Sequence, residues 1–113
     1  MQAQVRVLHW ETSSYPEHMA FGQFYDAVDP LVDKLIEVIQ GRYQKIMFGG
    51  IENIQVADYN ALKLHLFLED MKSFFSVRLE QAGLNKETDA DIYNIAQEIT
   101  AEIEKLKYLL TLK

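Results

Sequence analysis

Apolar residues recur along most of this chain at the three- and four-residue spacing of an amphipathic helix rather than the two-residue spacing of a strand. Val5 and Leu8 mark one side of a first helix over about residues 2–13. Ser14-Tyr15-Pro16-Glu17 then reads as a capping box, in which the Ser14 hydroxyl accepts from the backbone of Glu17 and Glu17 reaches back. Pro16 is tolerated there because first-turn N–H groups have no partner within the helix. The second helix runs to Gly41, a residue type suited to the C′ position. Phe21, Phe24, Val28, Leu31, Val32, Leu35, Val38 and Ile39 stay in phase on one broad face across Pro30, which predicts one kinked, continuous helix.

Residues 43–58 place Gly49-Gly50 between two apolar stretches, the pattern of a tight hairpin or of a crossover loop with a short helical piece. One isolated hairpin in a helical chain is marginal, which favours the crossover. A third helix over about 59–82 ends at Gly83, and its apolar residues spread over more than half its circumference, so it is expected to be the most buried. The fourth opens near Thr88 as N-cap, with acids in its first turn. Ile92, Ile95, Ala96, Ile99, Ile103, Leu106 and Leu110 form its narrow stripe. The pattern predicts an all-α chain, a small up-and-down helical bundle.

Length and composition narrow the function classes. At 113 residues the chain is one domain, 1–113, with 49% hydrophobic residues, too many for a disordered chain. It has no cysteine, which excludes a disulfide framework, a zinc finger and a thiol nucleophile. No apolar run approaches the ~20 residues of a membrane span, and MQAQVRVLHW lacks the apolar stretch of a signal peptide. A cytoplasmic protein with no membrane partner is the expectation. The net charge of -6, without a basic tail, disfavours nucleic acid as a partner, because such binding depends on cations neutralising phosphates.

The residues that point to chemistry are His9-Trp10, His18, and Asp33 and Glu37 one helical turn apart. Imidazole nitrogens and carboxylate oxygens on facing helices are a donor set for iron, zinc or manganese. With about 100° per residue and His18 at zero, Asp29 falls near 20°, Asp33 near 60°, Asp26 near 80° and Glu37 near 100°. These five share one arc, roughly opposite the apolar face. The arc is either a solvated face of an acidic protein or a face that meets another subunit, with a cation relieving the repulsion between its carboxylates.

The run LHWETSSYPEHMAFGQFYDAVDPLVDKLIEVIQGR resembles the Dps-type mini-ferritins over about residues 7–42. In that family a His-Trp pair closes the first helix, a histidine opens the next, and an Asp-x-x-x-Glu pair follows along it. His9-Trp10, His18, and Asp33 with Glu37 match these elements in turn. The resemblance implies a ferritin-like bundle and a divalent-metal site, with iron as the ion and Fe(II) oxidation as the chemistry. Histidines would come from one subunit and carboxylates from another, in a homodimer or higher homo-oligomer. Trp10 and Tyr15 would line the site. The family usually carries a further acid four residues after the second histidine; Gly22 stands there in this chain, and Asp26, one turn on, is the nearest substitute. The chain is similar also to short Dps-like proteins encoded by tailed phages, which would place it in the cytoplasm of the host cell.

Two other readings use different residues. Tyr15, Tyr25, Arg42 and Tyr43 offer aromatic and cationic contacts to a small nucleotide-like ligand, in a non-enzymatic oligomer on a reused scaffold. The same oligomer could instead bind a host partner, and exposed Tyr93 and Tyr108 would suit a purely structural or partner-binding bundle.

Overall fold

The computed structural model of the chain describes residues 1–43, 56–59 and 62–112. Four helices account for most of them: α1 (Gln2–Glu11), α2 (Tyr15–Arg42), α3 (Leu64–Gln81) and α4 (Ala90–Leu109), with no strand among the described residues. The chain is all-α, a small helical bundle. The expected choice between hairpin and crossover around Gly49-Gly50 falls on residues outside those described.

Contacts at the helix ends fix the directions. Arg42 at the end of α2 pairs with Asp91 at the start of α4, while Ala20 and Phe24 border Glu102 and Leu106 at the other end. Helices α2 and α4 are therefore antiparallel. Lys107 pairs with Glu69, and Lys72 with Glu104, so α3 and α4 are antiparallel as well. It follows that α2 and α3 run in the same direction. In agreement, Tyr59, just ahead of α3, donates to Glu17 at the start of α2 (2.7 Å to Oε1). Helix α2 packs on α1 and α4, whereas α3 packs among the described helices on α4 alone.

The core follows from the helix stripes. Phe21, Val28, Ile92, Ile99 and Ile103 are fully buried, together with Val5, Leu8 and Leu106. Helix α4 supplies the most buried positions. The expectation that the third helix would be the most buried is corrected: Leu68, Met71 and Leu79 are buried, but Leu66, Phe74 and Val77 are 48%, 53% and 46% exposed. A helix with one neighbour among the described helices has only one side covered by them, so its wide apolar circumference remains partly open.

Local chemistry sets the boundaries. The Ser14 hydroxyl accepts from the Glu17 N–H (3.4 Å), as expected. The return half of the capping box is absent, because the Glu17 carboxylate accepts instead from Tyr59 and from the Thr12 hydroxyl (3.2 Å). The N–H of Ser14 goes to the Thr12 hydroxyl (3.2 Å). Helix α2 passes through the exposed Pro30 without a break. It also passes Gly41 and stops at Tyr43, which corrects the expected end at Gly41. The added residue, Arg42, is held by its ion pairs. At the end of α3, Gly83 adopts φ 82, with Leu84 N–H on Leu79 O (3.2 Å) and Gly83 N–H on Glu80 O (3.0 Å). These are the two bonds of a Schellman motif, which needs a left-handed residue at this place.

The expected Thr88 cap is also corrected. Helix α4 begins after Asp89, and the Thr88 N–H is bound by Asn85 Oδ1 (3.3 Å). Asp89, 1% exposed, accepts from Tyr43 Oη (2.5 Å), Arg42 Nη1 (3.2 Å) and the Asn85 N–H (2.9 Å). Arg42 also grips Asp91 with two bonds of 2.7 Å. The Tyr43 hydroxyl and the Asn85 N–H hold the Asp89 carboxyl below its usual range, and Arg42 holds Asp91 down to about 2. A cation at a helix C-terminus meeting anions at a helix N-terminus also satisfies both macrodipoles.

Candidate histidine seam

Helix α1 lies along the first half of α2 in an antiparallel hairpin closed by Thr12–Ser14. Positions 15, 18, 22, 25 and 29 of α2 fall on one stripe at three- and four-residue intervals, and this stripe meets α1. The rings of His9 and His18 stack across it, with centroids 3.7 Å apart and planes at 18°. His9 Nδ1 lies 2.6 Å from the backbone oxygen of His18, and His18 Nδ1 lies 2.8 Å from that of His9. A carbonyl can only accept, so each Nδ1 carries a proton and donates. In the neutral rings the free lone pair is then on Nε2 of both.

Gly22 makes the stack fit. A Cβ there would lie 3.1 Å from His9 Cε1 and 3.4 Å from His9 Nδ1. An acid at this position would enter the space of the ring, which accounts for the glycine. Tyr25 closes the other side of His9, edge-on at 5.3 Å. Arg6 lies over the Tyr25 ring at 4.1 Å and pairs with Asp29 (2.7 Å). The other oxygen of Asp29, Oδ1, is buried without a hydrogen-bond partner among the described residues. At the open end of the seam stand Tyr15, near-parallel to His18 at 6.4 Å, and Trp10; they are 71% and 70% exposed.

The five candidate ligands therefore divide. His9 and His18 come together, half-buried, in the α1–α2 seam. Asp26, Asp33 and Glu37 are exposed on α2. No group of three or more His, Asp and Glu converges as a metal site among the described residues of one chain. At about 1.5 Å per residue, Asp33 and Glu37 lie roughly 22 and 28 Å along the helix from His18. The shared arc that the helical wheel draws is also split: His18 and Asp29 face α1, whereas the other three face outward. Stacking adds a further constraint. Each Nε2 lone pair lies in its own ring plane, and rings stacked with centroids 3.7 Å apart and planes only 18° from parallel do not aim both lone pairs at one ion at the ~2.0–2.1 Å of a zinc–nitrogen bond. The stacked pair offers two single donors and no chelate.

The residues of the nucleotide-like reading do not converge either. Tyr15 and Arg42 stand at opposite ends of α2, about 40 Å apart. Tyr25 is packed between His9 and Arg6, and Arg42 and Tyr43 are committed to Asp89. Tyr93 is half-buried with its hydroxyl on Leu84 O (3.0 Å); Tyr108 is 62% exposed. Sequence reasoning met Gly22 only as the place of a missing acid and Tyr25 only as a contact for a nucleotide-like ligand, and it missed Arg6. Their spacing against the histidines is the signal that marks them.

Glycine substitutions test the seam. A mid-helix Gly→Ala change ordinarily stabilises by about 0.5–1 kcal/mol. Gly41→Ala, with nothing within 4 Å of the new methyl, is expected to stabilise as well, by less because Gly41 is the penultimate residue of α2. Gly22→Ala is expected to have the opposite sign, a loss of about 1 kcal/mol, because the clamped His9 ring cannot give way without losing its stack. Urea unfolding of the two variants reads the signs.

A model of a family of unknown function, DUF5856, matches residues 9–110. No curated protein and no solved structure matches the chain. No helix among the described residues is long and apolar enough to cross a membrane.

Proposed function

The chain belongs to the DUF5856 family, whose function is unknown, and we propose that it is a ferritin-like protein that binds a divalent transition metal between two copies. The observation that carries this reading is the reciprocal pair of Nδ1–H bonds of His9 and His18. A backbone carbonyl on the far nitrogen is the arrangement that orients an imidazole as a metal ligand and fixes which nitrogen is free. The stack admits one ring per ion, so His18 or His9 supplies one nitrogen and the remaining donors come from elsewhere.

The donors at hand are Asp33 and Glu37, too far along α2 to reach the histidines of their own chain. A twofold axis beside Asp26, with two α2 helices antiparallel, brings His18 of one copy level with Asp33 and Glu37 of the other. Asp26 then lies near the axis, where two like charges meet and a cation is favourable. One imidazole with carboxylates suits Fe(II), Mn(II) or Zn(II). Iron is the ion that the Dps resemblance implies.

The test combines metal content with melting temperature. Fe(II) without air, Mn(II) or Zn(II) is expected to stabilise the folded protein, by about 2.7 kcal/mol at a hundredfold excess over Kd. His18→Ala and Asp33→Ala should each remove the rise, and a chelator should reverse it. Absence of a shift with all three ions, together with metal-free purified protein, refutes the proposal.

A further inference from the structure

We propose that the outward face of α3 is a twofold interface between two copies of this chain, antiparallel about Phe74, with Asp70 of each copy against Arg78 of the other. This surface is separate from the outward face of α2 and does not depend on metal.

Helix α3 packs among the described helices on α4, and its exposed surface presents Leu66, Asp70, Phe74, Val77 and Arg78, with Asp70 and Phe74 at the rim that faces α2. Three large apolar residues, each about half exposed, lie on one side of one helix, interrupted by Asp70, and such apolar exposure marks an interaction site. The patch continues into an apolar groove of about 500 Å³ whose walls include Val32, Leu35, Ile36, Phe67 and Met71.

The charges on this face name the partner. Leu66, Asp70, Phe74 and Arg78 form one i+4 row. Such rows are the ridges that two helices interleave when they cross at about -50°, the commonest packing in globular proteins. Asp70 and Arg78 stand symmetrically, four residues before and four after Phe74. An antiparallel copy of the same row therefore sets each acid opposite an arginine, twice, around a Phe74–Phe74 centre. A surface that complements itself under a twofold rotation is what an isologous dimer requires. Neighbouring charges on α3 are already used inside the chain: Glu69 pairs with Lys107, and Lys72 with Glu104. No ion pair engages Asp70 or Arg78 among the described residues; Arg78 only leans over Phe74, at 5.7 Å.

Charge reversal tests this on the full chain, with mass read by sedimentation in the absence of metal and folding checked by circular dichroism. The wild type is expected to self-associate. Asp70→Arg and Arg78→Asp each place like charges across the axis and are expected to weaken association about tenfold or more. The double reversal, Asp70→Arg with Arg78→Asp, restores opposite pairs and should restore the mass. Phe74→Glu should give the lowest mass of the set. A wild type that stays monomeric, single reversals that leave the mass unchanged, or a double reversal that fails to recover it would each overturn the proposal.

Discussion

Phe21→Ala is expected to cost about 3–5 kcal/mol, a large share of the ~6–15 kcal/mol that holds a domain of this size. Phe21 is fully buried and is the largest of the completely enclosed side chains. It lies on the side of α2 between the α1 seam and the α4-facing residues Phe24 and Val28. Removing it leaves a void that three helices border, and none of the three can close it without shifting its own neighbours. Phe74→Ala makes the same chemical change on a residue that is 53% exposed. Within one copy it is expected to cost less than about 1 kcal/mol. Urea unfolding at low protein concentration compares the two. Similar losses would mean that the outer side of α3 is as enclosed as the core.

The second large effect is expected on acidification. Asp89 and Asp91 are both held below their usual carboxyl range, Asp89 chiefly by the Tyr43 hydroxyl and the Asn85 N–H, and Asp91 by Arg42 to about 2. For a depressed acid the folded form binds the proton less readily than the unfolded form. Its stabilisation is complete above the unfolded value near 4 and disappears as pH falls through the folded value. The link between the end of α2 and the start of α4 should therefore weaken between about pH 4 and pH 2. Asp89→Asn should flatten this acid limb and lower stability at pH 7, because the buried group then lacks the charge that Arg42 and Tyr43 are arranged to meet. Asp91→Asn, at an exposed carboxylate, should flatten the limb with a smaller loss at neutral pH. Melting temperature against pH for the wild type and both variants decides it. An unchanged acid limb in both would remove the ion pairs as its cause.

What the sequence made legible was local. The Ser14 cap, the left-handed Gly83 and the isoleucine stripe of α4 each rest on residues a few positions apart, and each is present. What it concealed depends on partners far along the chain. Glu17 turns away from its own helix terminus because Tyr59, 42 residues on, supplies a hydroxyl. A helical wheel puts His18 and Asp29 beside Asp33, but it carries no information about α1, whose ten residues cover only the first half of that stripe. The histidines themselves were legible; their stacking was not, because it depends on the missing side chain at Gly22. The breadth of the apolar surface on α3 reads as burial in a sequence, whereas in the bundle it marks a side that none of the other described helices covers.

The common direction of α2 and α3 has a consequence for biosynthesis. Each hairpin, α1 with α2 and α3 with α4, joins neighbours in sequence and can close early. The α4-facing side of α2, with Phe24 and Val28, has to wait for a helix that begins some sixty residues later and leaves the ribosome after the other three. Until then the nascent chain carries an uncovered oily strip, the condition in which folding intermediates recruit chaperones or aggregate.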